Sequence, residues 1–259
     1  MSNMSTPMQG PPPAPQKKGV SAGWIVAIVL GVILLMALLI GGILVAALIP
    51  AVSQVRDAAR RTMTMNNGRQ MALGVLNYES VSGKIPTNRT QDDGTELQSW
   101  RAEILPFMDA SNVADLIDPE LAWDDPANQA AVNNVIPSFH SPRSADTDSP
   151  TTHFVAVKDP ASIFSGEKIS FAEINSRDGA DVTAIFLELP DSGIHWAEPR
   201  DVTISQAIDI IQNFPEPSGI IVVMADGAVN TVFQSTSADD IKKLFLLDNG
   251  APSPSTLGR

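Results

Sequence analysis

The chain contains no cysteine, which excludes disulfides, thiolate metal sites and cysteine nucleophiles. Aromatic residues are sparse, with a single tyrosine. Residues 24–49 lack charge altogether. Basic residues are in deficit. Two of the 17 bases, Lys17 and Lys18, precede residue 51 and no acid does, so 29 acids face 15 bases after it. A surface that acidic repels phosphate backbones and argues against a nucleic-acid partner. Sequence signatures of catalysis are missing as well. Ser165-Gly166 is not a Gly-x-Ser-x-Gly elbow, no glycine-rich phosphate loop occurs, and His140, His153 and His195 lack metalloprotease spacing. No enzymatic activity and no cofactor are therefore expected.

The uncharged run, Trp24 to Ile49, is almost wholly apolar. At ~1.5 Å per residue it spans roughly 39 Å, enough to cross a ~30 Å hydrocarbon core with some tilt. Trp24 stands where an interfacial anchor belongs, and Ile49-Pro50 closes the run. A cleaved signal peptide is the rival reading, but its apolar region is usually shorter and Ala46-Ala47 is a poor cleavage site. Residues 1–19, with five prolines among small polar residues, read as a disordered tail. Residues 20–50 read as the transmembrane helix, 51–250 as one soluble domain and 251–259 as a frayed tail. Arg56, Arg60, Arg61 and Arg69 outnumber Lys17 and Lys18, so charge alone places the domain in the cytoplasm.

Past Pro50, apolar residues at Val52, Val55, Ala59, Met63, Met71, Val75 and Tyr78 recur at helical steps. They predict a continuing helix with this stripe on the sheet and Arg56, Arg60 and Arg61 on the opposite face. Asn66-Asn67-Gly68 predicts a bend or break. Ser99–Met108 predicts a short element stopped by Pro106, and Pro126–Val135 a short helix. His153–Val157, Val182–Leu189 and Gly219–Ala225 read as strands. Asp226-Gly227 then makes a hairpin turn into Ala228–Phe233. Ser237 with Asp240 starts a final helix that Asn249-Gly250 ends. The predicted class is α+β: one long N-terminal helix, transmembrane then soluble, packed on an antiparallel β-sheet.

Several stretches share their order and spacing with one family. They are Leu48 to Val52, Arg56 to Arg61, Asn66-Asn67, Gln70, Asn77-Tyr78, Ser99-Trp100-Arg101, Leu105-Pro106, Trp123-Asp124, Pro126, Asn128, Asp178-Gly179, Glu188, Trp196, Pro199, Asp201, Ala225-Asp226-Gly227 and Val229. Over roughly residues 30–250 the chain resembles the pilin-like family of planctomycetes known as domain of unknown function 1559. The resemblance implies a pilin-like fold and a single-pass protein of the bacterial inner membrane. It implies a cytoplasmic N-terminus and a periplasmic domain, against the arginine count. Implied partners are the lipid bilayer, envelope proteins and other copies joined through the N-terminal helix. The chain departs from the family twice. Ile28 and Ile33 stand where a prepilin cleavage Gly and its Glu would fall, so the mature protein is expected to keep its N-terminus. Glu216 stands where the family carries a His before Asp-Gly.

Asp92, Asp93 and Glu96 form the best oxygen-rich loop for calcium, beside the alternative of a solvated turn. Some pilin-like proteins bind structural calcium, which the resemblance adds to this reading. Trp100, Trp123 and Trp196 either pack the core or line a ligand groove, and Asn88-Arg89-Thr90 fits a glycosylation sequon. The expected function is a pilin-like structural or assembly protein of the envelope. The alternative is a tethered extracytoplasmic module that binds a solute, glycan or protein.

Overall fold

The computed structural model describes residues 22–215 and 218–250, with Gly10 and Pro252. The expected tails at 1–19 and 251–259 lie almost wholly outside these residues, and Glu216 lies outside them. The chain divides into two compact units, Met1–Val55 and Arg56–Arg259. Helix α1 (Ala22–Ser82) begins in the first and ends in the second.

In the first unit, Gly23–Leu44 is long and apolar enough to cross a membrane, and none of it is buried. Trp24, Ile25 and Leu44 are all exposed. In water such a surface would be unstable, because every apolar side chain stays hydrated. A bilayer removes that penalty. Ile49 and Pro50 lie within the helix, and their side chains are outside the described residues.

The second unit is α+β, as predicted. Short strands β1 (Arg89–Thr90) and β2 (Glu96–Gln98) lead into α2 (Trp100–Ile104). Pro106 sits in the tight 3-10 turn that stops it. Helices α3 (Ser111–Ala114) and α4 (Gln129–Val132) follow, the latter preceded by a 3-10 turn beginning at Pro126 and capped by the Asp125 carboxylate. Next come β3 (Thr151–Thr152), β4 (Phe154–Ala156), α5 (Phe171–Arg177), β5 (Ala184–Glu188), β6 (Ile194–His195) and α6 (Ile204–Gln212). Strands β7 (Ile220–Met224) and β8 (Val229–Val232) and helix α7 (Ala238–Phe245) close the unit.

The main sheet is antiparallel, in the order β4-β5-β7-β8. Its central strands are apolar on both faces because both faces are covered. Phe154, Phe186, Ile221 and Val223 pack into a core with Met71, Ala72 and Val75 of α1. Val155, Leu187, Val222 and Met224 pack against Ala207 and Ile211 of α6 and Ile241, Leu244 and Phe245 of α7. The β5–β7 register shifts between Ala184 and Phe186. The extra residue places Ile185 and Phe186, although consecutive, in the same core.

The face of α1 that meets the sheet agrees with the predicted one at Met71 and Val75 and differs from it before them. Thr64, Gly68, Met71, Ala72 and Val75 are buried, whereas Val55 is 69% and Met63 55% exposed, and Val52 and Ala59 face solvent too. Close approach selects small residues, which a hydrophobic pattern does not mark. A Cβ on Gly68 would lie 2.9 Å from Val223 Cγ2 and 3.4 Å from Phe154 Cε1. Gly68 therefore makes the contact, and Asn66-Asn67-Gly68 does not break the helix. Arg61 also departs from expectation. It is half-buried, and its guanidinium donates to the Ser218 carbonyl at 2.5 Å and to the Thr231 hydroxyl.

Candidate functional site

β4 is an edge strand, and its outward backbone groups need partners that are not another chain. The Val202 N–H donates to the Ala156 carbonyl at 3.2 Å and the Phe154 N–H to Thr152 Oγ1 at 3.3 Å, and two side chains a hundred positions apart supply the rest. Ser99 caps α2 and accepts from the Arg101 N–H, which fixes the start of that helix. Arg101 is fully buried and donates to the Phe154 carbonyl at 2.9 and 3.2 Å and to Asp201 at 2.5 Å. Asp201 in turn accepts from the Ala156 N–H at 2.9 Å and from Trp100 Nε1 at 3.1 Å. Burying both charges costs several kcal/mol per ion unless further hydrogen bonds satisfy them, and here every polar atom of the Asp201 carboxylate is engaged. Trp100 lies parallel to Phe186, with ring centres 5.3 Å apart.

This scaffold forms the floor of a cleft of about 460 Å³. The β1–β2 segment brings Thr87, Asn88, Arg89 and Glu96 to one wall, α1 brings Tyr78, and the loop before α5 brings Phe164 and Lys168. Arg89 donates to Glu103 Oε1 at 2.8 and 3.0 Å, and Lys158 donates to Glu96 Oε1. Burial, helped by the Glu103 carboxylate, pushes the Tyr78 hydroxyl above its ordinary range, so it stays protonated at neutral pH.

A second buried ion pair lies on the core face of β5. Glu188 is fully buried and accepts from Arg143 Nη1 at 2.7 Å, Ser141 Oγ at 2.5 Å and the Ile221 N–H at 3.3 Å. The Ser141 N–H donates to His153 Nδ1 at 3.0 Å, and His153 stacks on His140 at 4.9 Å. Burial, then the neighbouring His140, lowers the His153 pKa. Ser141 and Glu188 are both inaccessible, so this set holds the sheet to the 141–143 loop rather than facing a substrate.

The residues singled out from sequence fall in different places. Trp100 floors the cleft, with Asn88 and Glu96 beside it. The Asn88 amide donates to Glu96 and to the Pro199 carbonyl and accepts from the Trp100 N–H, so the sequon residue is tied into the wall. Asp93 accepts from the Thr95 N–H at 2.9 Å, a local turn. Asp92, Asp93 and Glu96 do not converge: no group of three or more His, Asp or Glu suited to a metal occurs among the described residues. Trp123 packs against His195, with ring centres 4.7 Å apart, and burial lowers the His195 pKa. Trp196 is buried and donates to the Asn134 carbonyl at 2.9 Å. Asp226 accepts from the Ala228 N–H at 2.8 Å, and Gly227 takes φ +85°, which closes the β7–β8 hairpin. Tyr78, Glu103, Lys158 and Lys168 were not read as site residues. They are scattered through the sequence, and only the fold assembles them.

Residues 53–186 match a family model described as a protein of unknown function (DUF1559). No curated protein and no solved structure matches the chain. The family match and the apolar N-terminal helix are compatible with a membrane-anchored or secreted envelope protein. A helix of that length near the N-terminus has the character of an anchor or of a signal sequence.

Proposed function

The chain belongs to the family of domain of unknown function 1559, whose match covers more than half of its length, and from that premise we propose that it is a single-pass, pilin-like structural subunit of the bacterial cell envelope. Its apolar segment stays in the inner membrane, its domain stands on the extracytoplasmic side, and it carries no catalytic activity. One observation carries the reading. Helix α1 of the soluble unit is committed on one face to the core, yet its other face leaves Met63, Leu73 and Val81 exposed, at 55, 56 and 75%. An ordinary amphipathic helix turns polar residues outward, so large apolar side chains at these positions favour a further helix or protein as cover.

The lack of native cysteine gives a clean test. Met63→Cys and Leu73→Cys chains, kept in native membranes and oxidised mildly, are expected to form disulfide-linked dimers. A cysteine at Asp92, on the exposed β1–β2 loop, should form few. Equal and low crosslinking at all three positions, with monomers after mild detergent extraction, would overturn the assembly reading. A second reading, a tethered binding module, is favoured by the cleft itself.

A further inference from the structure

We propose that the cleft over Trp100 binds a small acidic saccharide of one or two rings, a role independent of assembly through α1. Its volume, about 460 Å³, lies within the ~300–1,000 Å³ of ordinary small-molecule sites. The chemistry of its walls narrows the class. Glu96 and Glu103 are each engaged with a cation through Oε1 only. Their Oε2 atoms have no donor among the described residues, so each offers an acceptor to a ligand. Because Lys158 and Arg89 already neutralise these carboxylates, a ligand ammonium gains little there, whereas a hydroxyl can donate at small desolvation cost.

Asp201 offers nothing, since Arg101, Ala156 and Trp100 use both of its oxygens. Thr87 adds a hydroxyl and the half-buried Tyr78 adds ring surface, while Phe164 and Trp100 are buried beneath them. Aromatic surface beside paired acid and base groups suits the alternating CH and OH faces of a sugar.

The acidic substituent is assigned by Lys168. It is exposed, and among the described residues it is the lining cation without an ion pair. In a chain of net charge −12, a lone ammonium at the rim of a cleft favours one anionic group and little more. A bare anion would use Lys168 but leave both carboxylate acceptors unanswered. A ligand with both hydroxyls and a carboxylate answers every open group.

The test uses the full-length chain in lipid nanodiscs, titrated calorimetrically with D-glucuronate, with D-glucose and acetate as the comparison ligands. One saturable site for glucuronate is expected, with glucose and acetate each weaker by about tenfold or more. Lys168→Met should weaken glucuronate by about tenfold while leaving the thermal midpoint unchanged, because the side chain is exposed and unpaired. Glu103→Gln should weaken glucuronate and glucose alike. Absence of saturation with glucuronate would overturn the proposal, as would equal binding of glucose or acetate, or wild-type affinity in a folded Lys168→Met chain.

Discussion

At the scale of single residues, two glycines on α1 carry opposite consequences. A Cβ at Gly68 would press on Val223 Cγ2 at 2.9 Å, a β-branched side chain held in a central strand. A Cβ at Gly74 would meet Met108 Cγ at the same distance, on a flexible side chain that can turn away. Replacing a mid-helix glycine by alanine gains about 1 kcal/mol of helix propensity, while overpacking a rigid core costs about 1–3 kcal/mol. Gly68→Ala is therefore expected to lower the thermal midpoint and Gly74→Ala to leave it level or raise it, measured by circular dichroism. The reverse order would mean that α1 does not rest on β7 at Gly68. Here the sequence was legible for residue type but not for role. Gly68 read as a helix breaker, because helix propensity favours that meaning and a sequence carries no record of what lies opposite.

At the scale of elements, the strands were readable because both sides of the sheet are buried and their apolar runs are nearly continuous. Asp226-Gly227 announced the β7–β8 turn. Helices α5 and α6 went unread although each begins with a capping box, Ser170 with Glu173 and Thr203 with Gln206. Those signals were present and would have found them. The edge of β4 was not readable at all, because its cover comes from Arg101, Asp201 and the Val202 backbone, far from β4 in sequence. That cover yields a prediction. Asp201→Ala leaves the Arg101 guanidinium buried without its counter-charge and frees the Ala156 N–H, so it should destabilise the domain by about 3–5 kcal/mol. Urea unfolding checks it, and a loss under ~1 kcal/mol would mean that Arg101 is solvated.

The loop against β4 and β5 has its own pH dependence. The His153 pKa is lowered from 6.5 in the fold, by burial first, so near and below that value the unfolded chain binds more protons than the folded one. The domain is then fully stabilised above pH 6.5 and loses stability as pH falls below it. Asn at this position keeps an acceptor near the place of Nδ1 but cannot titrate. His153→Asn should flatten the fall in unfolding free energy between pH 7.5 and 5, with His195 retaining part of the slope. An unchanged slope would sink the assignment.

At the scale of the whole molecule, the α+β class and the membrane-length segment followed from hydropathy alone, since a bilayer demands a long uncharged run and little else produces one. The cleft did not follow, because its members have no common spacing. Orientation is the point on which two sequence arguments conflict. Arg56, Arg60, Arg61 and Arg69 follow the segment, against Lys17 and Lys18 before it. Asp57 pairs with Arg60 at 2.5 Å, but acids count for little in setting topology, and the arginines act during insertion, before pairing forms. The deciding term is length: charge bias governs short loops, and long domains translocate largely regardless of it. More than two hundred residues follow the segment here. We therefore expect Leu116→Cys, at an exposed position of the domain, to react with a membrane-impermeant maleimide in intact spheroplasts. Ser5→Cys, before the segment, should react only after lysis. Because the chain has no other cysteine, each label reports one site. Labelling of Ser5→Cys but not Leu116→Cys in intact spheroplasts would place the domain in the cytoplasm, and with it would fall the proposal that the domain and its cleft work outside the cytoplasm.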